Sequence, residues 1–179
     1  MKSLSEIKKI LAVIKENDRF LITSHMDPDG DSIGSQLGLY YALQGLGKKS
    51  YIVNQGSLPA RYDFLDLDDL IKSQRDPLPF SPQATFYIEC PDIKRIGFVG
   101  ELVPQDSIKI NIDHHHDNQN YGNINWVDAQ CCAAGEMIYY ILKEGKINIT
   151  PTIAMELYAA IISDTGQFKF SSTSSNGMR

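Results

Sequence analysis

Five short apolar runs, "RFLITS", "SYIVN", "ATFYIE", "IKINID" and "INWVD", are separated for much of the chain by segments whose apolar residues recur at helical spacing. That alternation constrains the fold more than any other feature. A strand solvated on one face alternates apolar with polar residues, whereas a run that is apolar almost throughout needs cover on both faces. Strands alternating with helices then predict an α/β fold, a mainly parallel sheet with helices on both faces. Leu4, Ile7, Ile10, Leu11 and Ile14 share one face of a helix over residues 3–16. Ile33, Leu37, Tyr40, Tyr41 and Leu43 mark a second helix ending near "GLGKK". Ala133 to Leu142 and Ile153 to Ile162 give two more, with Gly145 and Pro151 punctuating the gap. Residues 55–82 show no strong periodicity apart from a candidate helix at "ARYDFLDL". The end, "GQFKFSSTSSNGMR", starts like a strand and stops in small polar residues. The expectation is one domain over residues 1–179, truncated from a longer protein.

Four apolar segments end in groups that can ligate metals. "FLITSH" ends at His25, with Asp29 and Asp31 just beyond; "ATFYIE" ends at Glu89. "IKINID" ends at Asp113 and runs into His114, His115 and His116. The helix "AMELYAAIISD" ends at Asp164. In open parallel α/β sheets, ligands bind outside the carboxyl ends of the strands. Carboxylates and imidazoles from separate strands would meet there in one crevice. Each group alone has a plainer reading. Asp29-Gly30-Asp31 could be a turn and a helix N-cap, and Asp31-Ser32 would cap the following helix well. A single histidine at a strand end is more often hydrogen-bonded structure than ligand. Three in a row are harder to dismiss, because imidazoles are costly to bury without partners, and all 4 histidines lie in these two segments.

Mixed carboxylate and imidazole donors without thiolate suit Mn²⁺, Mg²⁺ or Fe²⁺ better than structural zinc. Two cations need about six ligand side chains, one of them bridging. Such a pair activates water and clamps a phosphoryl group for in-line displacement. A net charge of −5, from 17 basic and 22 acidic residues, argues against a broad face for duplex DNA. No apolar run approaches the ~18 residues that span a membrane. The N-terminal segment interleaves charges with its apolar residues, unlike a signal peptide. Cys90, Cys131 and Cys132 lack framework spacing and read as reduced core residues of a cytoplasmic protein.

In that order, "HMDPDGDSIGS", "DHHH" and "SDTGQF" resemble the DHH phosphoesterase superfamily, in its bacterial oligoribonuclease and phosphoadenosine-phosphate phosphatase branch. "YGNINWVDAQCCAAGEMIYYIL" also looks like the segment that follows the naming motif in that branch. The resemblance covers essentially the whole chain. It implies two divalent cations, Mn²⁺ foremost. His25, Asp29 and Glu89 would hold the first; Asp31, Glu89, His114 and Asp164 would hold the second. The family normally has an aspartate at the bridging position, where this chain has Glu89, with Asp92 a weaker alternative. Asp27 is not a ligand position. By likeness His115 faces the phosphate and Asp113 orients a histidine, with His116 and Arg95 as further candidates for touching substrate. The implied reaction is hydrolysis of short single-stranded RNA, linear dinucleotides or 3′-phosphoadenosine 5′-phosphate by a metal-activated water. The family also carries a C-terminal substrate-binding domain that this chain lacks, so weak activity is expected of these residues alone. The alternatives are a pyrophosphatase or polyphosphatase, and a catalytically silent metal-binding module. A homodimer is left open.

Overall fold

The computed structural model describes residues 2–66, 68–173 and 177. Six strands form one sheet: β1 (Arg19–Thr23), β2 (Lys49–Val53), β3 (Ile71–Lys72), β4 (Ala84–Ile88), β5 (Ile108–Asp113) and β6 (Ile124–Val127). Their order is β3-β2-β1-β4-β5-β6, and every pairing is parallel. The helices are α1 (Lys2–Glu16), α2 (Gly30–Gly45), the short α3 (Val99–Leu102), α4 (Ala134–Glu144) and α5 (Pro151–Asp164). The α/β class is as the apolar runs predicted.

Strand alternation sorts the side chains onto two faces. Phe20, Ile22, Phe86, Ile88, Ile110 and Ile112 join the larger core, with α1, α2, α4 and α5. Leu21, Val53 and Tyr87 point the other way, onto a smaller core capped by Ile96 and Val99. The faces are therefore covered unequally: four helices of eleven or more residues on one, and on the other the single turn Ile93–Ile96 with α3. Three local expectations change. "GQFKF" forms no strand; it winds through turns after α5, anchored by the Lys169 and Phe170 N–H groups donating to the Thr165 carbonyl. The candidate helix in "ARYDFLDL" shrinks to one 3₁₀ turn, Ala60–Tyr62. The two-residue β3 carries no periodicity, being too short to show any.

Helix α2 is the middle of the fold, with twelve of its residues buried. Gly30, Gly34 and Gly38 lie four apart, on one face. A Cβ at Gly34 would overlap the Glu156 carbonyl oxygen, and one at Gly38 would sit 2.7 Å from Leu157 Cδ2. Bare glycine thus lets α5 come down onto α2 and sets the distance between their ends.

Glu156, on α5, is 1% exposed, and its Oε2 has no hydrogen-bond partner. Burial, then the nearby Asp66 charge, pushes its carboxyl up to about 7; Tyr41 lies on the same side. A raised folded-state pKa gives stability that is complete below the ordinary glutamate value and is lost as pH rises through the folded value. The loss corresponds to about 3 kcal/mol at most. Glu156→Gln should therefore leave the melting temperature nearly unchanged at pH 4.5 and raise it by several degrees at pH 8. Equal effects at both pH values would show that this carboxyl does not govern the pH dependence.

Candidate metal centre

The strand order reverses direction between β1 and β4: from β1 the chain moves outward to β2 and β3, then returns to place β4 on the other side. Such a switch point opens a crevice at the carboxyl edge. His25 leaves β1 there and Glu89 leaves β4, with His25 Nε2 3.4 Å from Glu89 Oε2. His25 Nδ1 is 2.7 Å from the Met26 carbonyl oxygen. With the proton on Nδ1, donating there, the Nε2 lone pair faces Glu89. Burial holds the imidazole below its usual pKa, which favours that neutral form.

Glu89 has φ +52°, a left-handed backbone that bulky residues adopt at a cost of roughly 1–3 kcal/mol. Its N–H still donates to the Ile112 carbonyl at 2.9 Å. The kink therefore comes as the strand ends. Glu89 is 2% exposed, and burial first, then Asp31, Asp29 and Asp164, push its carboxyl well above the ordinary range.

Asp29 does cap α2, accepting the Ser32 N–H at 3.0 Å; the cap falls on Asp29, and Asp31 lies in the first turn. Asp31 is fully buried. It accepts from Ser35 Oγ at 3.0 Å and from the backbone N–H groups of Ala134 and Gly135 at 2.6 and 2.9 Å. It thereby caps α4, whose own N-cap residue, Ala133, has no side-chain acceptor. Burial raises Asp31 to about 8. His114 Nε2 stands 3.6 Å from Asp31 Oδ2 and 3.7 Å from Asp164 Oδ2.

Ligand atoms fall within 4.8 Å of one another in three groups: His25, Asp29 and Glu89; Asp31, Glu89, His114 and Asp164; and Glu89, His114 and His115. The first two have the same members as the sets that the family resemblance implies, and Glu89 belongs to every group. Two buried atoms here, Glu89 Oε2 and His114 Nε2, have no hydrogen-bond partner. Buried carboxylates that repel one another beside unpaired acceptors are what a cation would satisfy, so the donor set fits divalent metal.

Around these residues the other candidates take distinct places. Asp113 is fully buried at the end of β5 and hydrogen-bonded to His115, Nδ1 to Oδ1 at 2.8 Å. Burial pushes its carboxyl up, but the His115 and Asn118 hydrogen bonds outweigh that and hold it low; the Asp113 bond in turn raises His115. His116 is exposed, on a cleft of about 630 Å³ that it shares with His114, His115, Gln130 and Ser171–Thr173. Arg95 is half-buried; its carbonyl accepts the Met26 N–H, and its charge opposes protonation of His25. Asp92 caps the turn at Ile93–Ile96, and Asp27, exposed at φ +60°, forms a turn; neither joins a ligand group. Sequence reasoning missed Ser35 and Asn118, which hold Asp31 and Asp113. Ser35 follows Asp31 by four residues on α2, a spacing that brings the two side chains together and could have been read; Asn118 reaches Asp113 from the loop after β5, which no periodicity marks.

Fold and site together define an α/β domain with a cluster of carboxylates and imidazoles, able to hold divalent metal, at the carboxyl edge of a parallel sheet. Residues 19–161 match the DHH family, N-terminal domain, and the chain belongs to that family. A Thermus thermophilus protein named bifunctional oligoribonuclease and PAP phosphatase NrnA is 36% identical over 159 residues, 88% of this chain and 47% of the relative. A Streptococcus mutans protein, named as probably of the same kind, is 30% identical, covering 96% of this chain and 54% of its own length. The chain thus spans about half the length of these curated relatives. Among solved structures, an exopolyphosphatase-related protein from Bacteroides fragilis superposes with TM-score 0.88 at 23% identity, covering 96% of this chain and 53% of that one. RecJ from Thermus thermophilus, solved with Mn²⁺, gives 0.56 at 15% identity, over 92% and 24%. These two likenesses are of fold. No helix among the described residues is long and apolar enough to cross a membrane.

Proposed function

We propose that residues 1–179 are the metal-binding catalytic domain of a phosphoesterase that hydrolyses short oligoribonucleotides, linear dinucleotides or 3′-phosphoadenosine 5′-phosphate. The observation that carries this reading is the shared Glu89 carboxylate, within 4.8 Å of two separate ligand groups. The names of the relatives supply the substrate class.

His25, Asp29 and Glu89 would hold one divalent cation, and Asp31, Glu89, His114 and Asp164 the other, Mn²⁺ foremost. When bound, the cations supply an activated water and neutralise charge on the phosphoryl oxygens. The chain's own part is orientation and charge. The Met26 carbonyl fixes the His25 tautomer, and the α4 amides with Ser35 fix Asp31. The Asp113 hydrogen bond raises the His115 pKa and so favours the imidazolium, which would donate to a phosphoryl oxygen as negative charge grows. The N-terminus of α2 adds its dipole beside Asp31. The net charge of −5 favours small substrates over long duplexes. The buried thiols of Cys90 and Cys131 support a cytoplasmic setting. Grip on sugar and base would come largely from outside these residues, since the relatives are about twice as long.

Incubation with a ribodinucleotide, 3′-phosphoadenosine 5′-phosphate or pyrophosphate, with Mn²⁺ or with EDTA, tests the reading. Slow, Mn²⁺-dependent hydrolysis of the first two is expected, with EDTA abolishing it. Turnover confined to pyrophosphate would reassign the substrate. Two bound Mn²⁺ without turnover of any of the three would make the chain a silent metal-binding module.

A further inference from the structure

Three side chains converge on the carbonyl oxygen of Cys90, the residue after Glu89. The Tyr121 hydroxyl donates at 2.8 Å, Asn111 Nδ2 at 3.2 Å and Asn118 Nδ2 at 3.4 Å. Asn118 Nδ2 also donates to Asp113 Oδ2. The other oxygen, Asp113 Oδ1, accepts from the backbone N–H of His115 at 3.2 Å and pairs with its ring Nδ1 at 2.8 Å. Asn118 Oδ1 accepts the Asn120 N–H at 2.8 Å, which settles which end of the amide is oxygen. The two amide hydrogens then have two acceptors, one on the backbone that carries Glu89 and one on the carboxylate that carries His115.

We propose that Asn118 is a positioning residue for His115: its amide pins the Asp113 carboxylate, and through it the imidazole, in register with the kinked backbone at Glu89 and Cys90. The side chain of His115 is 37% exposed, so packing alone does not fix its ring. Asp113 is fully buried but could still rotate its carboxylate about the last torsion, which is broad for this side chain. Asn118 removes that freedom. The proposal rests on the reading of His115 as the group that faces the phosphate, and a misaimed donor loses much of its effect in the transition state.

A double-mutant cycle tests it. Asn118→Leu keeps the branched shape and removes both donors. In Mn²⁺-dependent hydrolysis of a ribodinucleotide it should lower kcat at least about tenfold with little change in KM. In a His115→Ala background the same substitution should cost almost nothing further, because its effect runs through the imidazole. Equal losses in both backgrounds would overturn the proposal. A second readout needs no turnover. The hydrogen-bonded His115 Nδ1 proton should give a low-field NMR resonance, absent from His115→Ala, that Asn118→Leu shifts or broadens away. An unmoved resonance also overturns the proposal. A resonance that responds, in a protein that hydrolyses no nucleotide, would sink the functional reading and leave the positioning role standing. If Asn118→Leu fails to fold, Asn118→Ala, which removes both donors without adding a charge beside Asp113, goes through the same cycle.

Discussion

Glu89→Gln should weaken both cations together, each by at least about tenfold, equivalent to about 1.4 kcal/mol per site. Removing Asp29 or Asp164 would strike one group each, whereas the Glu89 carboxylate lies within ligand distance of both. The amide is neutral and of nearly the same size, so its loss falls on charge rather than shape. The metal-free protein should respond in the opposite sense. There the buried carboxyl is held among Asp31, Asp29 and Asp164 and driven toward its neutral form. A glutamine avoids that repulsion, so the metal-free melting temperature should hold or rise. Titration calorimetry with Mn²⁺, alongside melting curves in EDTA, reads both arms. Wild-type affinity and stoichiometry in the variant would mean that Glu89 does not join the two sites.

Gly34→Ala should be strongly destabilising for the addition of a single methyl group. An added Cβ there would overlap the Glu156 carbonyl oxygen and lie 3.1 Å from Ala160 N, both backbone atoms of α5 that cannot step aside singly. Overpacking of this kind costs roughly 1–3 kcal/mol or more, against about 1 kcal/mol gained in helix propensity. The site should register it unevenly. Pushing α5 away carries Asp164 from Asp31 and His114, while His25, Asp29 and Glu89 stay on β1, β4 and the start of α2. One Mn²⁺ site should weaken several-fold more than the other, and the melting temperature should fall by several degrees. Two sites weakened alike would show that the glycine contact does not set the Asp31–Asp164 distance.

Most of this architecture was legible because the signals are local. An apolar run bounded by acid and histidine states both a buried strand and its functional end. Four such endings place the acids and histidines at one crevice once the sheet is parallel, while their division into two ligand groups comes from the family resemblance. What could not be read depends on backbone approach. Gly30, Gly34 and Gly38 stand four apart in plain view, yet small residues on a helix say nothing about which helix will meet them. The Asp31 cap on α4 joins residues 103 positions apart, and no spacing encodes it. Asn118 is hidden for another reason: in "HHHDNQN" the histidines draw the chemical reading and the amide looks like loop. "GQFKF" misled because alternating apolar residues describe a strand only where a neighbouring strand has an open edge, and here β6 closes the sheet on that side without it.

The glycine groove on α2 also orders events in time. Asp31 is synthesised early, but its companion Asp164 arrives only after nearly the whole domain has left the ribosome. β1 must wait for β4, some 65 residues later, before the centre of the sheet closes. Contacts of such long range are slow to form, and a nascent chain lacking α5 would present α2 with its groove open and its buried carboxylate half-surrounded. Docking of α5 is then the step that both seals the core and completes the second ligand group. A polypeptide interrupted just short of residue 151 would retain the complete sheet yet stay vulnerable to aggregation and proteolysis along that open groove.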